Sequence, residues 1–132
     1  MLETALYVDD LAAAEEFYGR VIGLEVVVRA EGRHVFFRCG EAMLLVFDPA
    51  RSAVPPAPGA LPVPPHGARG AGHVCFAADA AALAGWRARL ARAGVAIEAE
   101  VDWPQGGRSI YLRDPAGNSV EFAEPRIWGL DG

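Results

Sequence analysis

Glu121 stands between two apolar residues in Asn118-Ser119-Val120-Glu121-Phe122, and this is a position where a carboxylate can do chemistry. In a strand, alternation sends Glu121 to the face opposite Val120 and Phe122; if those two are core, the carboxylate faces away from it. His73 opens one strand-like stretch and His34 another. An unperturbed imidazole titrates close to neutral pH, which suits His34 to general-base work. Arg38 and Arg113 can hold a carboxylate or phosphonate through paired hydrogen bonds, or pair with acids of a neighbouring strand. Trp103, in the loop 101–107, can stack on an aromatic ligand. All twelve basic residues are arginine, so the absence of lysine removes Schiff-base catalysis and the phosphate-loop lysine.

The elements that must position these residues occur twice. Residues 2–8 alternate like a strand. Asp9-Asp10 then caps a helix with Leu11, Ala14, Phe17, Tyr18 and Val21 on one face, and Gly23 stops it. Strand-like stretches follow at 24–29, 34–39 and 42–47, with a turn at Glu31-Gly32. Downstream the order returns: a strand at 73–77, a helix capped by Asp79 with Leu83, Trp86 and Leu90 inward, Gly94 at its end, and a strand at 95–101. Gly32-Arg33-His34-Val35-Phe36-Phe37-Arg38 and Gly107-Arg108-Ser109-Ile110-Tyr111-Leu112-Arg113 then match in residue type position by position. Each is followed by a turn, Cys39-Gly40-Glu41 or Asp114-Pro115-Ala116-Gly117-Asn118, and a last strand ending near proline.

The expected fold class is therefore α+β: two βαβββ modules, residues 1–49 and 72–132, forming a cupped mixed sheet with helices outside. Residues 50–71, rich in Pro, Ala and Gly, form a connector without regular helix or central strand. Loops of this length often carry function, which keeps His66 and Arg69 as possible pocket residues.

At 132 residues and 52% hydrophobic content the chain supports one sizeable core. A net charge of −5 argues against nucleic-acid and anionic-membrane partners and leaves a small molecule as the default. The opening Met1-Leu2-Glu3-Thr4 lacks a basic and apolar leader, and no run approaches the roughly 20 apolar residues of a membrane span, so the expected location is cytoplasmic. Cys39 and Cys75 make no disulfide framework and read as reduced thiols.

The opening Glu3-Thr4-Ala5-Leu6-Tyr7-Val8-Asp9-Asp10-Leu11 and the closing Tyr111-Leu112-Arg113-Asp114-Pro115-Ala116-Gly117-Asn118-Ser119-Val120-Glu121, set in the two-module pattern, resemble the vicinal oxygen chelate superfamily. That superfamily includes glyoxalase I, extradiol dioxygenases, methylmalonyl-CoA epimerase, fosfomycin resistance proteins and metal-free bleomycin resistance proteins. In its metal-dependent members, ligands come from the first and last strands of each module. The resemblance places Glu3, His73 and Glu121 at three of these positions and Leu45, which cannot ligate, at the fourth. Two carboxylates and one imidazole nearly neutralise a divalent ion, which favours Mn²⁺, Fe²⁺ or Mg²⁺ over Zn²⁺.

If Glu3 and His73 point inward, alternation takes Ala5, Tyr7 and Cys75 with them, so Cys75 lines the pocket floor, with plain packing as its alternative role. Tyr111 and Ser109 match substrate-contacting places in fosfomycin proteins, and the internal repeat makes Phe36 and His34 their partners. The resemblance with the internal repeat thus gives Tyr111 and His34 as catalytic candidates with Ser109 and Phe36 beside them, and the readings of the residues themselves add Arg38, Arg113, Trp103 and Cys75 around a substrate. The leading expectation is a metal-dependent enzyme acting on a small molecule that chelates the ion through neighbouring oxygens. The alternative is a metal-free binding or resistance protein. Leu45 speaks against the four-ligand glyoxalase I site, and Ala5 with the missing lysine against fosfomycin transfer. A homodimer is expected, with the cup built within one chain or across two.

Overall fold

The structure is a computed structural model that describes residues 1–130. The strands form two four-stranded sheets of the same topology, in an α+β architecture. Two compact units result, Met1–Gly72 and His73–Gly132.

In the first unit, β1 (Glu3–Tyr7), β2 (Glu25–Ala30), β3 (His34–Cys39) and β4 (Ala42–Phe47) are ordered β1-β4-β3-β2. β1 runs parallel to β4, with Ala5 opposite Leu45 and Tyr7 opposite Phe47; β3 runs antiparallel, with Phe36 opposite Leu45 and His34 opposite Phe47. Side chains alternate across the sheet. Leu6, Leu44, Val46, Val35 and Phe37 are therefore buried on one face, while Ala5, Leu45, Phe36 and His34 share the other. Burial of the first set, at roughly 2 kcal/mol per large side chain, fixes the register that aims the second.

The segment expected to be one α-helix over 11–21 is divided. α1 (Leu11–Glu15) is capped by the Asp10 carboxylate, which accepts from the Ala13 amide. Glu16–Val21 is then a π-helix, in which the Ile22 amide reaches the Phe17 carbonyl five residues back at 2.9 Å. The wider turn still buries Phe17, Tyr18 and Val21 together. Gly23 closes it at φ 91°, as the Gly-stop reading expects. The connector also departs from expectation at its start: Pro49–Ser52 forms a short helix, α2, with Asp48 as cap and proline in its first turn.

In the second unit, β5 (His73–Ala77), β6 (Ala99–Asp102), β7 (Arg108–Arg113) and β8 (Ser119–Ala123) are ordered β5-β8-β7-β6. α3 (Ala80–Arg92), capped by Asp79, buries Leu83 and Leu90 and stacks Trp86 on Phe122 at 4.2 Å. β6 starts at Ala99 rather than at residue 95. The Val95 amide is still bonded to the Leu90 carbonyl of the preceding helix, and only at Glu98, whose amide reaches Tyr111, does bonding to β7 begin. Among the described residues no helix is long and apolar enough to cross a membrane.

Candidate functional site

In the second unit, the strand register sets Cys75 opposite Glu121 and Glu121 opposite Tyr111. Val120, Phe122, Ile110 and Leu112 are buried on the other face. This is the alternation the sequence called for, and it leaves Glu121 buried as a carboxylate. His73 Nε2 lies 3.2 Å from Glu121 Oε1. His73 Nδ1 lies 3.1 Å from the Ser119 carbonyl oxygen, which can only accept. Nδ1 therefore carries a proton and donates to Ser119, while Nε2 faces a carboxylate oxygen. A contact of this length is made either by a shared proton, as in a His–Glu ion pair, or by a cation held between the two atoms. The second oxygen, Oε2, is buried without a hydrogen-bond partner among the described residues.

That donor set fits a divalent ion. A backbone carbonyl fixes the imidazole tautomer, as outer partners of ligating histidines do, and a buried carboxylate offers an uncommitted oxygen. Among the described residues no group of three His, Cys, Asp or Glu is arranged to hold a metal. His73 and Glu121 thus make two donors, and Glu3, exposed on β1, belongs to the other unit.

The neighbours of Glu121 are held in their protonated forms. Burial, followed by the Glu121 carboxylate, raises the Tyr111 phenol above its ordinary value, so Tyr111 is a proton donor at neutral pH. Burial and the Glu121 charge push the Cys75 thiol up to about 12. Although solvent reaches Cys75, it should react slowly with iodoacetamide at pH 8 in chelator-treated protein. Glu121→Gln should accelerate that alkylation, since it removes the charge opposing the thiolate. Mass spectrometry over time reads both rates, and equal rates would refute the electrostatic coupling.

The remaining candidates of this unit are engaged with protein groups. Ser109 is fully buried and accepts the indole N–H of Trp103 at 2.8 Å. Arg113 pairs with Glu98 at 3.1 Å and donates to the Gly117 carbonyl. In the first unit Arg38 pairs with Glu25 at 3.4 Å. For both arginines the structure realises the acid-pairing alternative weighed against a ligand grip.

The first unit holds a cavity of about 1020 Å³ between its sheet and the connector. Phe36, Leu45 and Phe47 form its floor, and connector residues from Val54 to His66 cover it. His34 stacks on Phe36 with centroids 4.0 Å apart, and its Nδ1 is buried without a partner among the described residues. Burial and then the charge of Arg33 lower its pKa, so the ring is neutral at physiological pH and can accept a proton. Of the two connector residues kept as possible pocket residues, His66 lines the cavity, meets the Tyr7 hydroxyl at 2.7 Å and packs against Phe47, whereas Arg69 is not among the lining residues.

Residues 1–122 match the model of the Glyoxalase/Bleomycin resistance protein/Dioxygenase superfamily. The chain belongs to this superfamily. Every candidate site residue, from Glu3 to Glu121, lies within the span that matches the superfamily. Among solved structures the chain is similar to a lactoylglutathione lyase from Agrobacterium tumefaciens, at 50% identity over 98% of this chain and 96% of that one, TM-score 0.93. It shares its fold with a glyoxalase/bleomycin resistance protein/dioxygenase from Nocardioides, at 22% identity over 93% of this chain and 81% of that one, TM-score 0.71. TioX from Micromonospora sp. ML1 likewise shares the fold, at 21% identity over 93% and 96% of the two chains, TM-score 0.71. No curated protein matches the sequence.

Two residues that line the first-unit cavity escaped sequence reasoning, Arg33 and Arg51. Arg33 carried a signal in the internal repeat, where it aligns with Arg108. Arg51 carried none, because the connector's path could not be read from composition.

Proposed function

We propose that this superfamily member is a metal-dependent enzyme of the glyoxalase/dioxygenase type, acting on a small molecule that chelates the ion through neighbouring oxygens. His73 and Glu121 hold the ion, and the superfamily resemblance makes Glu3 the candidate third ligand. Leu45 at the fourth position leaves room for substrate. The observation that carries the reading is His73 Nε2 lying 3.2 Å from one Glu121 oxygen, beside a second carboxylate oxygen with no partner among the described residues. When bound, the ion supplies Lewis acidity toward substrate oxygens. The chain's own part is to fix the imidazole through Ser119, keep Tyr111 protonated as a donor near the carboxylate, and keep Glu121 out of bulk water. A carboxylate-rich set favours Mn²⁺, Fe²⁺ or Mg²⁺ over Zn²⁺.

Titration of chelator-treated protein with Mn²⁺, followed by the loss of the free-ion electron paramagnetic resonance signal, tests this. Saturation at about one ion per chain is expected, and absence of saturable uptake would defeat the reading. Support for Glu3 requires that Glu3→Gln weaken uptake as well. A second reading, a metal-free small-molecule binding protein, draws on Leu45 and on the apolar first-unit cavity. The same titration separates the two. A homodimer in the cytoplasm is part of the proposal.

A further inference from the structure

We infer that the first-unit cavity is a binding site for a planar aromatic monoanion, with Phe36 and Phe47 taking the ring system and Arg33 and Arg51 taking the negative charge. Its volume of about 1020 Å³ lies at the upper end of small-ligand sites, roughly 300–1,000 Å³, and accommodates two or three fused or linked rings. The aromatic faces stand in offset and edge-on arrangements that a planar ligand can extend: Phe36 and Phe47 are T-shaped at 5.3 Å, and His34 is stacked on Phe36.

The cover of the cavity is itself apolar and incompletely buried. Val54, Leu61 and Val63 are 55%, 81% and 53% exposed, although they line the pocket. Apolar side chains gathered over an aromatic floor and left partly in water gain burial when an apolar body fills the space. The cover is also anchored. His66 meets the Tyr7 hydroxyl, its carbonyl accepts from the Ser52 hydroxyl at 2.6 Å, and its amide donates to the Ser52 carbonyl at 3.0 Å. The connector is thereby fixed at one end of the pocket, while its apolar residues lie over the middle.

Charge sets the ligand's sign. Arg33 Nη1 donates to the Arg51 carbonyl, and Arg51 lies over Gly32, so the two guanidinium groups share one rim. Neither is in an ion pair among the described residues, while eight other side chains of the chain's arginines and histidines are. Glu3 contributes the opposing carboxylate at this cavity. Two guanidinium charges against one carboxylate leave one positive charge for a ligand. The buried, unpartnered His34 Nδ1 adds a polar contact that an apolar ligand alone leaves unsatisfied.

The cavity shares Glu3 and Leu45 with the proposed function, so the inference deepens its small-molecule reading; the test is run in chelator so that probe binding and metal binding fail separately. The probes are 8-anilinonaphthalene-1-sulfonate and its uncharged counterpart N-phenyl-1-naphthylamine, titrated by fluorescence against the full chain. Both should bind saturably at one per chain. Arg33→Gln with Arg51→Gln should weaken the sulfonate by about tenfold or more, the scale of one lost charge-assisted contact, and leave the neutral probe within about twofold. Retention of the neutral probe also reports that the variant is folded. Phe36→Ala should weaken both probes. Non-saturable sulfonate binding, an arginine variant that affects both probes alike or neither, or a Phe36 variant that binds both like the wild type would overturn the inference.

Discussion

Glu121→Gln is expected to lower the affinity for Mn²⁺ by about 100-fold or more, because loss of a ligand should match or exceed the roughly 10- to 100-fold that loss of an outer partner costs. The substitution preserves volume. It removes the negative charge, and turns one donor atom into an amide nitrogen that cannot ligate. His73→Ala should have a similar effect through the facing atom. Folding without metal should respond in the opposite direction. A buried carboxylate with an unpartnered oxygen is costly, so glutamine should leave metal-free stability unchanged or raised. Metal titration and urea unfolding on the same samples separate the two effects. A variant that keeps its affinity, or that loses it only by unfolding, would contradict the assignment.

Gly107→Ala is expected to destabilise the protein by about 3 kcal/mol, combining the cost of a left-handed backbone with that of overpacking. Gly107 has φ 94°, and an added Cβ would lie 2.5 Å from Ile127 Cγ2, which is buried. Gly32 is its counterpart in the internal repeat, at φ 72°, but its nearest neighbour is the flexible end of Arg51 at 3.5 Å. Gly32→Ala should therefore cost only about 1 kcal/mol, the backbone part alone. Urea midpoints for the pair check this, and equal losses would show that the tail 125–128 does not constrain Gly107.

The repeat made most of the fold legible. The seven-residue match at 32–38 and 107–113 lies on β3 and β7, at equivalent places in the two sheets. Period-two patterning placed Glu121 opposite Val120 and Phe122, and the register bears that out. Both aspartate caps and the Gly23 stop were readable because capping depends on one side chain and a few local amides. What failed to show was set by geometry beyond local pattern. A π-turn and an α-turn present the same apolar residues, so Phe17, Tyr18 and Val21 could not distinguish them. Residues 95–98 look strand-like, yet their ladder waits for an edge that only the folded β7 supplies. The candidate pair was legible in part: the superfamily resemblance pointed to His73 and Glu121 and alternation to the face of Glu121, whereas the Ser119 carbonyl that bonds the ring could be read from neither. The arginine rim became visible only with the connector in place.

The most direct test of the metal assignment is the divalent-metal content of purified protein never exposed to chelator, compared with that of a His73→Ala, Glu121→Ala double variant. The account predicts about one ion per wild-type chain and none in the variant. A wild type that remains empty after Mn²⁺ and Fe²⁺ are supplied, or a variant that retains the ion, would contradict it.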